Sequence, residues 1–389
     1  SPHCLLLRIP RKENDFCSNL NLSQGESEMA KSENVWEEID YCYQQGWAAD
    51  GLPVVPPSEE RVREFVEYVG RDPDEIMATM EPIHRKCSLE KAAINAVMAG
   101  CLPEYFPVVL AALEALEDNR YHFHGSTAST GGSAPLLIVN GPIREQLKMN
   151  GGLNVFGPGC RANATIGRTI RLIQLNVFGM YPGIFDQSTQ GFSGKYSFCI
   201  AENEEESPWE PLHVERGLTI SDSAVTVWGA RSSIQLSQRG ANTPEQILLT
   251  IADTIAHLGS ITSKGQTTVV MGPEHARLIA NREWSKSDVK KFLHQHACRP
   301  VEDLEEVAKA YEGVGGGGPA GPDGYIRQGQ TWEDILLVVA GGSNAGVSTV
   351  VYPWGRRLSS AVGANPSEGV PSMDFVTKQI REARGTCPS

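Results

Sequence analysis

The residues able to do chemistry in this chain gather in four short polar stretches. The densest runs from Lys195 to His213. There an apolar segment leads into Glu202, Asn203, Glu204, Glu205 and Glu206, then a Pro-Trp-Glu-Pro turn. Carboxylates just past the C-terminal end of a strand lie where an open α/β sheet presents its site. If the strand continues, alternation sends Glu202 and Glu204 to the same side, giving paired carboxylates for acid–base work or for holding a cation. Cys199, Trp209 and His213 belong to the same stretch. The competing reading is a solvated acidic loop, against which a tryptophan between prolines weighs.

A second stretch, Asn154 to Arg168, passes through Gly157 and Gly159 into Arg161, Asn163, Thr165 and Arg168. A helix that starts there offers free N–H groups, its positive dipole end and two arginines, which together suit a phosphate or carboxylate. The bland alternative is a helix merely started by glycine. The third stretch, Tyr121 to Ser133, contains His122 and His124 at a metal-type spacing for a strand, followed by glycine and hydroxyls. His124 reads there as a metal ligand, as a catalytic or ligand-binding group, or as a structural residue. The fourth, Gly341 to Gly346, follows an apolar run and reads as a second phosphate or substrate loop. Neither a P-loop, a GxSxG elbow nor an HExxH helix occurs.

The elements that must position these groups follow from composition and pattern. The chain has 389 residues, 40% hydrophobic and 21% charged, which is ordinary for a globular protein with a sizeable core. A net charge of −13 argues against nucleic acid or an anionic membrane surface as partner. No apolar run is long enough to read as a membrane span. The nine cysteines show no CxxC and an odd count, so reduced thiols in a cytoplasmic setting are expected.

Residues 1–32 read as a disordered or non-native N-terminal extension, with Met29 as a start. Residues 33–120 form a helical N-terminal part: a helix at 34–46, a proline-rich turn at 50–57, a helix from Ser58 to Val69, and a helical hairpin from Ser88 to Leu116. Residues 121–360 form an α/β catalytic-type core. Strands are expected at 136–139, 196–201, 224–228, 267–271 and 334–340. Helices are expected at 161–176, 244–258, 285–296 and 302–311, and after both Gly141-Pro142 and Gly272-Pro273. A glycine-rich loop spans 315–324, and 361–389 reads as a C-terminal tail. The fold class is α/β, a mixed or largely parallel sheet with flanking helices and a weak internal duplication of strand–Gly-Pro–helix units.

The segments Trp47 to Pro57, Ala92 to Ala111, Arg161 to Arg168, Lys195 to Gly217 and Gly272 to Phe292 resemble an uncharacterised bacterial family. That family is associated with small thioredoxin-like (seleno)proteins carrying a (Sec/Cys)-Gly-Ser-Cys motif, and the similarity spans Trp36 to Gly355. The resemblance implies a redox-linked metabolic role beside a selenoprotein-type partner. This chain has no Cys-Gly-Ser-Cys of its own, so a thiol–disulfide centre would be supplied in trans.

The leading expectation is an enzyme acting on a small anionic carboxylate or phosphate metabolite, with the redox link that the resemblance implies. Arg161, Asn163, Thr165, Arg168, Asn203 and Trp209 are the expected substrate-binding residues, and His124, Cys199, Glu202, Glu204 and His213 the expected catalytic ones. No cofactor is identified and no metal ligand assigned. One alternative is a non-catalytic accessory subunit that docks a thioredoxin-like redox protein. Another is a metalloenzyme built on His124, His213 and Glu204. Homo-oligomerisation is left open.

Overall fold

Helix starts are fixed by side chains. Ser58, Ser88, Thr243 and Ser285 each accept a hydrogen bond from the backbone N–H three residues on, relieving an orphan donor of the first turn. Gly70 and Gly100 close two of these helices in the left-handed conformation that glycine adopts without a Cβ penalty.

A computed structural model of the chain describes residues 35–313, 316–355 and 375–381. In chain order the elements begin with α1 (Val35–Gln44), α2 (Glu59–Val69), β1 (Ile76–Met80), β2 (Arg85–Ser88), α3 (Leu89–Ala99) and α4 (Phe106–Glu117). Next come α5 (Phe123–Ala128), β3 (Ala134–Asn140), α6 (Ile143–Gln146), α7 (Arg161–Leu172), β4 (Cys199–Ala201) and α8 (Leu212–Glu215). Then follow β5 (Ala224–Ser237), α9 (Pro244–Ile255), β6 (Thr267–Met271), α10 (Pro273–Ala280), α11 (Lys286–His296) and β7 (Cys298–Pro300). The series ends with α12 (Val301–Glu306), β8 (Tyr325–Arg327), β9 (Ile335–Val339), β10 (Val347–Pro353) and β11 (Val376–Gln379).

The principal sheet is mixed, in the order β4-β3-β5-β10-β6-β9, with β11 pairing β5 outside that path. Only β3 with β4 and β6 with β9 are parallel. From the middle outward, each half has an antiparallel strand (β5 or β10), then a strand followed by Gly-Pro and a helix (β3 or β6), then a parallel outer strand (β4 or β9). The expected duplication thus has a counterpart in strand order. The sheet also curls until its outer strands meet: the Asn203 N–H donates to the Val339 carbonyl at 2.8 Å.

Two apolar clusters hold helices to this sheet. Phe106 and Leu113 of α4 and Ile166 and Ile170 of α7 share one core with Leu137, Val227 and Val270. Ile247 and Ile251 of α9 and Leu293 of α11 bury Val269, Leu337 and Val339 in the other. Each such side chain contributes about 1.5–3 kcal/mol on burial. The helical N-terminal part therefore shares its core with the sheet.

Several boundaries differ from the sequence reading. The 196–201 strand shortens to Cys199–Ala201, while the 224–228 strand lengthens to Ser237 because it pairs successively with β3 and β10. The helix expected to reach residue 176 gives way after Leu172 to a wide turn, Ile173–Val177, closed by an i→i+5 bond from the Phe178 N–H to the Ile173 carbonyl. Val376–Gln379, inside the segment read as a tail, pairs with β5. Residues 1–32, Gly315 and most of 361–389 lie outside the described residues. Among the described residues no helix is long and apolar enough to cross a membrane.

Candidate functional site

The expected carboxylate pair forms, by a different route from the one predicted. The strand stops at Ala201, and it is Asn140, at the end of neighbouring β3, that draws the two together. Its Nδ2 donates to Glu202 Oε2 at 2.6 Å and to Glu204 Oε1 at 3.0 Å. Glu202 is fully buried and also accepts the Leu212 N–H at 2.9 Å and the Val339 N–H at 3.4 Å. Burial pushes its pKa up, opposed by Lys286, the Leu212 N–H and Asn140. Glu204 takes the Gly141 N–H at 2.7 Å and pairs with Arg144 Nε at 2.9 Å.

Arg144, which the sequence reading passed over, also donates to the Glu202 carbonyl at 2.9 Å and pairs with Glu205 at 2.8 Å. His213 is fully buried with Nδ1 3.9 Å from Glu204, too far for a hydrogen bond, and neither ring nitrogen has a hydrogen-bond partner among the described residues. Asn203 turns toward Glu206 and the Gly341 carbonyl, and Trp209 donates to the Trp284 carbonyl at 3.0 Å against the second core. This hub ties β3, β4, β9 and α8 together at the seam of the curled sheet.

The four residues expected to hold an anion at the start of α7 are engaged by the protein. Asn163 accepts the Asn150 N–H and donates to the Asn150 carbonyl, both at 2.9 Å. Arg168 grips Asp50 at 2.7 and 3.1 Å and reaches the carbonyls of Leu52 and Pro53. Arg161 donates to the Gly100 carbonyl, and the Thr165 hydroxyl donates back to the Arg161 carbonyl.

One turn further along the helix the balance changes. The Arg171 side chain is 11% exposed and, among the described residues, pairs with a single carboxylate, Asp186, at 3.5 Å. Asp186 is already taken: it forms a close ion pair with Lys195 and accepts the Ser188 N–H at 3.0 Å and the Ser188 hydroxyl. Lys195 Nζ also donates to Ser188 Oγ at 2.6 Å. Burial lowers the proton affinity of Lys195 and Arg171, the latter adding to the effect on Lys195, while Asp186 opposes it. Burial raises the Asp186 pKa, but the bonds from Lys195 and Ser188 outweigh it and hold the carboxyl below its usual range. Among the described residues three cations, Arg168, Arg171 and Lys195, face two carboxylates, Asp50 and Asp186.

The histidine loop leans on this cluster. His124 stands edge-on to Phe185 with ring centroids 5.2 Å apart, and the Thr189 N–H donates to the Thr130 carbonyl. The two histidines do not lie on a strand, the setting their spacing suggests: His122 immediately precedes α5 with φ 57°, and His124 sits in its first turn. His122 stacks on Trp354, and burial, then His124, lowers its pKa.

The described cysteines are free thiols. Cys199 is buried, and burial pushes its thiol well above the ordinary range, opposite to what a nucleophilic thiol needs. The described residues contain no group of three or more His, Cys, Asp or Glu able to hold a metal ion. No protein-family model matches the chain, and no curated protein matches it.

The structure therefore groups Lys195 with Arg171, Asp186 and Ser188, and sets His124 against Phe185, the residue before Asp186. One sequence signal pointed there: Arg168 and Arg171 are three residues apart, so they share one side of α7.

Proposed function

We propose that the chain is an enzyme acting on a small anion, a carboxylate or phosphate, held by Arg171 and Lys195 with Ser188 and His124 beside it. The observation that supports this reading is the incomplete pairing of Arg171. A guanidinium so nearly buried ordinarily meets its carboxylate at a shorter distance and with more than one N–H. Here the one carboxylate it meets among the described residues is shared with Lys195 and Ser188. A bound anion would supply the missing acceptor and balance the extra positive charge. The wide turn that follows α7 is of a kind found often at functional sites. Lys195, with lowered proton affinity and in contact with the Ser188 hydroxyl, would exchange a proton with the substrate in this reading.

The test is thermal unfolding against phosphate and a series of mono- and dicarboxylates at constant ionic strength. At least one anion should raise Tm saturably in the wild type, and Arg171→Met should abolish that shift. Equal shifts in both proteins would refute the assignment.

A further inference from the structure

A cavity of about 260 Å³ opens on one face of β5, β6 and β10 beneath two glycine-containing loops, 153–157 and 340–345. Register puts Gln235, Thr349 and Val270 in one row across the three strands, so they share that face. Asn163 holds Asn150, Gly151 accepts the Gly341 N–H, and the two loops are thereby tied to each other across the sheet's seam.

The lining includes no ionisable side chain. Val155, Phe156 and Val347 supply apolar surface, and Gln235, Asn344 and Thr349 supply carboxamides and a hydroxyl. Thr349 is 8% exposed and stands in the row between Gln235 and Val270. Beside the 340–345 loop, Arg277 of α10 pairs with Glu206 at 2.8 Å, and Glu206 also accepts the Ser343 hydroxyl, so these two charges satisfy each other. A charged ligand buried here would find no counter-ion and would pay the desolvation of its charge. An uncharged ligand with an apolar body and a donor–acceptor edge would meet complementary groups along the lining. The volume falls just below the usual range for small-molecule pockets, which sets the ligand's size as a single small ring system.

We propose that this cavity is a second binding site, separate from the Arg171 cluster, for an uncharged aromatic amide or lactam. Its amide edge lies against Thr349, Gln235 and Asn344 and its ring against Val155, Phe156 and Val347.

The experiment is ligand-observed NMR titration of the full chain with nicotinamide and benzamide, and with nicotinate and benzoate as charged counterparts of the same shape. The amides should bind saturably and the acids at least tenfold more weakly. Thr349→Val, which keeps a strand-favouring shape, should weaken amide binding about tenfold. Ala345→Phe, which fills the space from the loop, should abolish it, while Arg171→Met should leave it unchanged. Absence of amide binding to the wild type overturns the proposal. So does equal binding of the acids, or undiminished binding in both cavity variants.

Discussion

The Glu202 carboxylate accepts the backbone N–H of Val339 at 3.4 Å, joining the end of β4 to the far edge of the sheet. Its other oxygen takes Asn140 Nδ2 and the Leu212 N–H, so one carboxylate serves three donors from three segments. Glu202→Gln keeps the shape but turns an NH2 toward one of those donors. It should cost about 1–3 kcal/mol in urea denaturation, the penalty of a buried unmatched polar group. Glu202→Ala strands all three donors and should cost more. A loss under about 0.5 kcal/mol for both variants would show that the seam does not depend on this residue.

Stability at low pH should depend on Asp186. Its folded pKa lies below the unfolded value of about 3.9. The stabilisation is therefore complete above that value and lost as pH falls through the folded pKa, because the unfolded state takes up the proton first. Wild type should exceed Asp186→Asn by a constant margin from about pH 5 to 7 and by a shrinking one below about pH 4. Equilibrium denaturation at pH 7, 5, 4 and 3 measures the margin. A margin unchanged at pH 3 would contradict the assignment.

The two cations on Asp186 should behave differently when removed. Lys195 is the close partner, and Lys195→Met should destabilise the fold by about 3 kcal/mol, as breaking a buried pair does. Arg171 is the surplus charge, disfavoured by burial, so Arg171→Met should change stability by less than about 1 kcal/mol or raise it. Comparable large losses in both would mean that Arg171 is a structural ion-pair partner.

Much of the fold was legible because its signals are local. Ser58, Ser88, Thr243 and Ser285 mark helix starts by their own side chains, and the apolar runs before Gly141-Pro142 and Gly272-Pro273 are β3 and β6. The long extension of β5 was hidden, since Arg231 to Ser237 lacks a sustained apolar run and becomes a strand through its partner β10. The site was less legible for the same reason. Arg168 and Arg171 look alike in sequence. Asp50, 118 residues from Arg168, commits that side chain to the fold. Asp186, already held by Lys195 and Ser188, leaves Arg171 underpaired. Glu202 and Glu204 were recognisable as a pair, but their convergence on Asn140 is a contact between strands that spacing does not encode.

Arg168→Met provides the contrast on α7. Its bidentate partner Asp50 is buried, so the variant should lose about 3 kcal/mol of stability. Where it remains folded, its anion affinity should stay within about threefold of wild type, a change of under 1 kcal/mol.

Calorimetric titration of phosphate and malonate into wild type, Arg171→Met and Arg168→Met tests the central claim most directly. The account predicts saturable binding of at least one anion to the wild type, retained in Arg168→Met and weakened tenfold or more in Arg171→Met, as loss of a charge-assisted hydrogen bond requires. Wild-type affinity preserved in Arg171→Met, or no saturable binding of either anion to the wild type, would contradict it.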